Sequence, residues 1–177
     1  MKKVKGSYIL LIELASSKDI LIGKLGCISF PQAFYAYVGS AMNGLEARLA
    51  HHLRDSKKLH WHIDYLLEEA RILEVMLFPC EPFIFCHSER SEESRSGQSP
   101  RSRNLLSSPF SVPAHQGNPR GECLLAQALA KDFQSIPGFG SSDCRCKSHL
   151  YFDADKDKLK TEIMAACEYG LNSGIYN

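Results

Sequence analysis

The sequence shows almost no excess of charge of either sign. Its 21 Lys and Arg residues are balanced by 20 Asp and Glu residues, and the formal net charge is +1 at pH 7. Proteins that bind nucleic acid through their overall charge are strongly basic, so this class is excluded. Any site for a polyanion must therefore be a local patch of the surface.

Long apolar runs are also missing. A membrane helix needs about 20 consecutive apolar residues, and no stretch of the sequence approaches that length. Residues 1–17 begin basic, turn apolar and end with small residues, as a secretion signal does, but the apolar run is short and contains Glu13. We therefore interpret residues 7–14 as a strand, and we expect a cytoplasmic protein without a membrane partner.

The pattern of apolar residues predicts an α+β domain with a small central mixed or antiparallel sheet flanked by helices. Strands and helices follow one another without the strict alternation of an α/β fold. Strands are predicted at 6–14, 20–23, 27–30, 34–40, 72–78 and 147–152. Helices are predicted at 45–55, 60–70, 122–133 and 156–171.

Residues 87–121 differ in composition from the rest of the chain. They contain nine Ser, four Pro and three Gly but only five apolar residues. Such a segment cannot bury enough apolar surface to offset the entropy lost on ordering it. We therefore predict one domain over residues 1–177, interrupted by a disordered insertion at 87–121 whose removal leaves the fold intact.

Three features occur together in the N-terminal half. A Gly-x-Tyr motif ends at Tyr8, a Tyr-Val-Gly motif begins at Tyr37, and the helix that follows carries Arg48 and, one turn later, His52. This arrangement resembles the GIY-YIG nuclease superfamily, although Ser7 replaces the middle Ile of the first motif. The predicted hairpin also lengthens the spacing between the two motifs.

These departures match a narrower family, Domain of Unknown Function one-two-three, which is regarded as GIY-YIG-like. The chain outside the insertion resembles this family in nearly all of its length. The motifs that carry the resemblance are GSY at 6–8, YVGSA at 37–41, LEARLAHHL at 45–53, LHWHIDYLL at 59–67, Glu122-Cys123 and GFGSSDCRCKSHL at 138–150.

The superfamily resemblance implies metal-dependent hydrolysis of DNA phosphodiester bonds, as in DNA repair or processing. It implies that Tyr8 or Tyr37, with a pKa lowered by a nearby metal or cation, accepts a proton from the attacking water. Arg48 would hold the phosphate, and His52 would orient a tyrosine or assist the leaving group. Glu122 would bind Mg²⁺ or Mn²⁺; Asp64, Glu68 and Glu69 are weaker candidates.

A local basic patch follows the same helix. The nucleic-acid-binding candidates are Arg54, Lys57, Lys58, His60, Trp61 and His62. A phosphate backbone can lie across such a segment, and Trp61 can stack on a base. The simpler alternatives are an ordinary charged helix end and a tryptophan that anchors the core.

The seven cysteines are an odd number, which does not suit a complete set of disulfides, so we expect free thiols. Cys144, Cys146 and His149 form a Cys-x-Cys-x-x-His motif, and with Cys123 they are candidates for a Cys₃His zinc site. The spacing is not that of a standard zinc ribbon. We therefore favour buried thiols over zinc.

The nuclease hypothesis has two alternatives. One is a non-catalytic nucleic-acid-binding module that keeps the same fold and the basic patch. The other is an interaction domain stabilised by zinc. A nuclease assay separates the first alternative from the nuclease, and metal analysis tests the second.

Overall fold

A five-stranded antiparallel sheet forms the centre of the structure, a computed structural model that describes residues 3–54, 56–79 and 121–172. The strands are β1 (Gly6–Leu14), β2 (Lys18–Ile22), β3 (Gly26–Phe30), β4 (Ala33–Ala41), β5 (Arg71–Pro79), β6 (Gln134–Ser135) and β7 (Leu150–Asp153). The sheet has the strand order β5-β1-β4-β7-β6, while β2 and β3 pair separately. This architecture confirms the predicted α+β class.

Strand β1 is buried on both faces of the sheet. It pairs with β4 on one side and with β5 on the other. Because successive side chains of a strand point to opposite faces, Tyr8, Leu10 and Ile12 enter one core cluster and Ile9 and Leu11 enter another. Burial on both faces explains why the sequence of β1 is apolar almost throughout.

The helices divide between these two core clusters. They are α1 (Leu45–His52), α2 (His62–Leu66), α3 (Gly121–Leu129) and α4 (Lys156–Asn172). Helices α1 and α2 contribute Leu45 and Ile63 to the cluster that contains Tyr8. Helices α3 and α4 contribute Leu129 and Leu159 to the other cluster. None of the described helices has the length and apolar character that a membrane span requires.

The sequence predicted the type of these elements better than their ends. Helix α1 stops at His52 instead of continuing to residue 55, and the short strand β6 was missed. Helix α2 begins two residues later than predicted. The reason is that Asp64 Oδ2 accepts the backbone N–H groups of His60 and Trp61 at 3.0 and 2.9 Å. These bonds hold both residues in a turn ahead of the helix.

The predicted insertion lies outside the described residues, except for its last residue. Gly121 is the first residue of α3, so the predicted insertion extends one residue too far at its C-terminal end. The disorder of the segment and the interruption of the domain stay predictions.

Candidate functional site

A cavity of about 320 Å³ lies where separate parts of the chain meet. Strand β1 supplies Tyr8 to its wall, β4 supplies Tyr37, α1 supplies Arg48 and α3 supplies Glu122. The structure thus brings together four of the residues predicted for catalysis and metal binding. His52, the fifth, lies behind Tyr8 and contacts its hydroxyl.

The remaining wall comes from two connecting segments. The residues around the start of α2 contribute His60, Trp61 and His62. The loop between β6 and β7 contributes Asp143 and His149, among others. The two segments contact each other, because the backbone N–H of Gly140 donates to His62 Nδ1 at 3.1 Å.

The Gly-x-Tyr and Tyr-Val-Gly motifs meet in one cross-strand contact. Tyr8 on β1 is the direct partner of Gly39 on β4. A Cβ atom at position 39 would lie 2.5 Å from the Tyr8 hydroxyl oxygen, which is shorter than a non-bonded contact allows. Glycine is therefore required at position 39, because the Tyr8 ring lies across the backbone of β4.

A chain of hydrogen bonds leads from Tyr8 away from the cavity. The Tyr8 hydroxyl lies 2.8 Å from His52 Nε2, and His52 Nδ1 lies 3.2 Å from Asp64 Oδ1. Asp64 Oδ2 contacts His51 Nε2 at 3.1 Å in addition to its two backbone donors. All three residues of this relay, Tyr8, His52 and Asp64, are buried, with at most 2% of their surface exposed. We call this arrangement the Tyr8–His52–Asp64 relay.

The relay has defined proton positions. Burial alone raises the pKa of Asp64, but hydrogen bonds from His52, from two backbone N–H groups and from His51 outweigh it and hold the pKa well below its ordinary value. Burial lowers the pKa of His52, and Asp64 opposes this only in part. At neutral pH a carboxylate at Asp64 therefore accepts the Nδ1–H of a neutral His52. The other ring nitrogen of His52 accepts the Tyr8 O–H.

The two tyrosines differ from the expectation of a lowered pKa. Burial raises the pKa of both Tyr8 and Tyr37, and the Arg48 guanidinium lowers it by less. The nearby cation thus acts in the expected direction but does not prevail over desolvation. Both hydroxyls keep their protons at neutral pH. Any basicity at Tyr8 must therefore come from its histidine partner.

Trp61 holds Arg48 against the cavity. The Arg48 Cζ atom lies 3.8 Å from the centroid of the Trp61 ring, a favourable cation–π position. The His51 and His60 rings stand perpendicular to Trp61, with centroid distances of 4.8 and 4.6 Å. Trp61 also packs against the core cluster that contains Tyr8. This placement agrees with the core-anchor alternative and leaves less of the ring for stacking on a base.

Two acidic side chains line the cavity. Glu122 is only 3% exposed, whereas Asp143 is exposed. Both lie close enough to Tyr37 for their negative charges to raise its pKa. Carboxylate oxygens are preferred ligands of Mg²⁺ and similar hard cations. Glu122 and Asp143 are therefore the side chains of this cavity with the donor type that a hard cation prefers.

The predicted basic patch divides into two kinds of residue. Arg54 and Lys58 are exposed and are placed to meet a charged partner. Lys57 is half-buried, and its Nζ donates to the backbone carbonyl of His52 at 2.7 Å. Lys57 therefore helps to end α1 next to the relay.

The candidate zinc ligands also lie together. Cys123 stands in the first turn of α3, and Cys144, Cys146 and His149 belong to the loop that leads into β7. The ligand atoms of all four residues lie within 4.8 Å of one another. Burial raises the pKa of Cys146 to about 11 and also raises the pKa of Cys123. The described chain thus contains a residue group that can hold a metal ion.

Sequence reasoning missed two residues of the site. Asp64 was considered only as a weak metal ligand, yet it anchors the relay. Asp143 lies within the motif at 138–150 but was given no role. Asp64 is the third residue of α2, and an acidic residue at that position often accepts backbone N–H groups ahead of a helix. That spacing was the available signal. Asp143 gave none, because only the fold brings its loop to the cavity.

Comparison with known proteins places the chain in a family. A family model described as "Domain of unknown function DUF123" matches residues 7–100 and 104–171. The chain therefore belongs to this family. No curated protein and no solved structure matches it.

Proposed function

We propose that the chain is a metal-dependent endonuclease of the GIY-YIG type that hydrolyses DNA phosphodiester bonds in repair or processing. The observation that supports this most directly is the shared cavity of Tyr8, Tyr37, Arg48 and Glu122. These residues come from four different elements. A core built for stability alone has no need of an arginine and a buried carboxylate beside two tyrosine hydroxyls.

Arg48 supplies the site for the scissile phosphate. Its guanidinium is always charged and presents a planar fork of donors that matches two phosphate oxygens. The cation–π contact with Trp61, at 3.8 Å from Arg48 Cζ to the ring centroid, holds this group at the cavity. Arg48 can therefore stabilise the charge that grows on the phosphate oxygens in the transition state.

Glu122 and Asp143, which line the same cavity as Arg48, would hold the divalent cation. A bound Mg²⁺ or Mn²⁺ supplies further charge neutralisation at the phosphate. Glu122 is buried in the wall of the cavity, so its carboxylate is largely shielded from bulk water. Asp143 lines the same cavity and is exposed to solvent.

The relay provides the base in this proposal. Tyr8 accepts a proton from the attacking water while its own proton passes to His52 Nε2, and the Asp64 carboxylate stabilises the imidazolium that forms. The tyrosine therefore never needs to ionise in advance. Tyr8 is fully buried in the free chain, whereas Tyr37 is 6% exposed. Substrate binding must therefore admit the attacking water to the Tyr8 hydroxyl. The variants Tyr8→Phe and Tyr37→Phe test which of the two tyrosines accepts the proton.

The decisive experiment is a cleavage assay on branched, nicked and single-stranded DNA with Mg²⁺ or Mn²⁺. We expect cleavage by the unaltered chain and a loss of at least ~100-fold in Arg48→Ala, as is typical when a transition-state donor is removed. Arg71→Ala is the matched control, because this exposed arginine lies on β5 and does not line the cavity. Circular dichroism verifies that both variants are folded.

Two outcomes would contradict the nuclease. One is binding without any cleavage, which favours the non-catalytic module. The other is an Arg48→Ala chain that cleaves at the normal rate. Glu122→Gln adds a further arm, in which activity and its metal dependence disappear together, while Glu46→Gln, on the exposed face of α1, has no effect.

A further inference from the structure

The cysteine cluster beside the cavity has the geometry of a metal site. The Cys144 Sγ atom lies 3.3 Å from His149 Nε2, and the ligand atoms of all four residues lie within 4.8 Å. In a tetrahedral zinc site with ordinary bond lengths, neighbouring ligand atoms are about 3.5–3.8 Å apart. The four side chains thus need only small rotations to surround one ion.

The composition of the cluster selects the metal. Three sulfur ligands and one imidazole are the Cys₃His set of structural zinc sites. Hard cations such as Mg²⁺ prefer oxygen and would not compete for it. Four protein ligands leave no position open for water or substrate, so such a site is structural instead of catalytic.

Backbone hydrogen bonds hold the loop that carries three of the ligands in a closed conformation. The Gly138 N–H donates to the Lys147 carbonyl and the His149 N–H donates to the Phe139 carbonyl, both at 2.8 Å. These bonds close the loop at its base and place Cys144 and Cys146 on it. The partner Cys123 comes from α3, the helix next to this loop.

We propose that Cys123, Cys144, Cys146 and His149 bind one structural zinc ion. This assignment reverses the preference for buried thiols that the spacing alone suggested. It does not depend on nuclease activity, since a closed zinc site stabilises a catalytic domain and a binding module equally.

The position of the zinc ion gives it a defined effect on the cavity. Cys123 follows Glu122 directly, and Cys144 follows Asp143 directly. His149 itself lines the cavity. A zinc ion would therefore join α3 to the loop and hold both acidic side chains at a fixed separation.

The test is metal analysis of the full chain purified under reducing conditions without chelator. We expect about one zinc ion per chain, with Cys144→Ser and Cys146→Ser each losing most of it. Cys27→Ser is the control, because this cysteine is exposed on β3 and lies apart from the cluster. Replacement of the zinc by Co²⁺ should give the visible absorption bands of a tetrahedral thiolate site.

Chelation provides an arm that needs no substitution. Removal of zinc should lower the melting temperature of the unaltered chain, and added Zn²⁺ should restore it. If the serine variants fail to fold, this arm and the cobalt spectrum decide the question. A metal-free chain whose melting temperature ignores Zn²⁺ would overturn the proposal, as would a disulfide between Cys123 and a loop cysteine.

Discussion

At the scale of single residues, Asp64 performs two tasks. Its Oδ2 atom accepts two backbone N–H groups at the start of α2, and its Oδ1 atom accepts the ring N–H of His52. One carboxylate therefore fixes both a helix end and the tautomer of a histidine. Four donors replace the water molecules that would otherwise solvate this carboxylate, and they offset the free-energy cost of burying its charge.

The relay makes stability depend on acid in a predictable way. The folded-state pKa of His52 is lowered, so the unfolded chain takes up this proton first and stability falls as the pH drops below about 6.5. The folded-state pKa of Asp64 is also lowered, so its contribution is complete above about pH 4 and is lost at lower pH. Urea unfolding measured between pH 7 and pH 3 should show both losses.

The variant Asp64→Asn should no longer show the loss of stability below about pH 4. The amide cannot satisfy the same donors, and each buried donor left without an acceptor costs about 1–3 kcal/mol, so the variant should be less stable at pH 7. Asp132→Asn serves as the control, since Asp132 is exposed. An unchanged profile in Asp64→Asn would show that another group causes the acid dependence.

At the scale of elements, the connection between α1 and α2 contains two lysines with different functions: one stabilises the end of α1, and the other is available to bind a charged partner. Lys57 ends α1 by a bond to His52, whereas Lys58 extends into solvent. Two adjacent lysines thus have different surroundings. The prediction from the sequence gave both lysines the same nucleic-acid-binding role, because charge alone does not show which ammonium group bonds to the backbone.

We expect Lys58→Ala to weaken DNA binding and to reduce the slope of log affinity against log salt concentration by about one, the effect of losing one phosphate contact. Thermal unfolding of this variant should be unchanged. Lys57→Ala should instead lower the melting temperature, since it leaves the end of α1 without its donor. Fluorescence anisotropy at several salt concentrations, beside thermal unfolding, measures both effects. Equal behaviour of the two variants would contradict the distinction.

The elements also show how far sequence reasoning reached. Apolar runs located the strands and helices, because a side chain's tendency to be buried is a local property. Helix α2 was misplaced because a single side chain, Asp64, captured the backbone ahead of it. Matched motifs located Tyr8, Tyr37 and Arg48. Asp143 remained hidden, because its place at the cavity results from the fold of a loop.

At the scale of the whole molecule, the segment with unusual composition is the natural place for a deletion. We expect removal of residues 87–118 to change the melting temperature by only a few degrees, because loop length contributes little to the entropy of closure. Ending the deletion there keeps α3 complete from Gly121. Thermal unfolding of the shortened chain tests this, and loss of a cooperative transition would show that the segment supports the core.

The contact between Tyr8 and Gly39 also restricts which sheets the chain can form. A shift of β1 against β4 by one residue would place Val38 or Ser40 opposite the tyrosine, and a side chain there would meet the ring. The same shift would turn Tyr8 to the opposite face, away from His52. Mispaired chains therefore lose the packing and the site at once. The chain therefore cannot pair β1 with β4 out of register and still keep the contact between Tyr8 and His52.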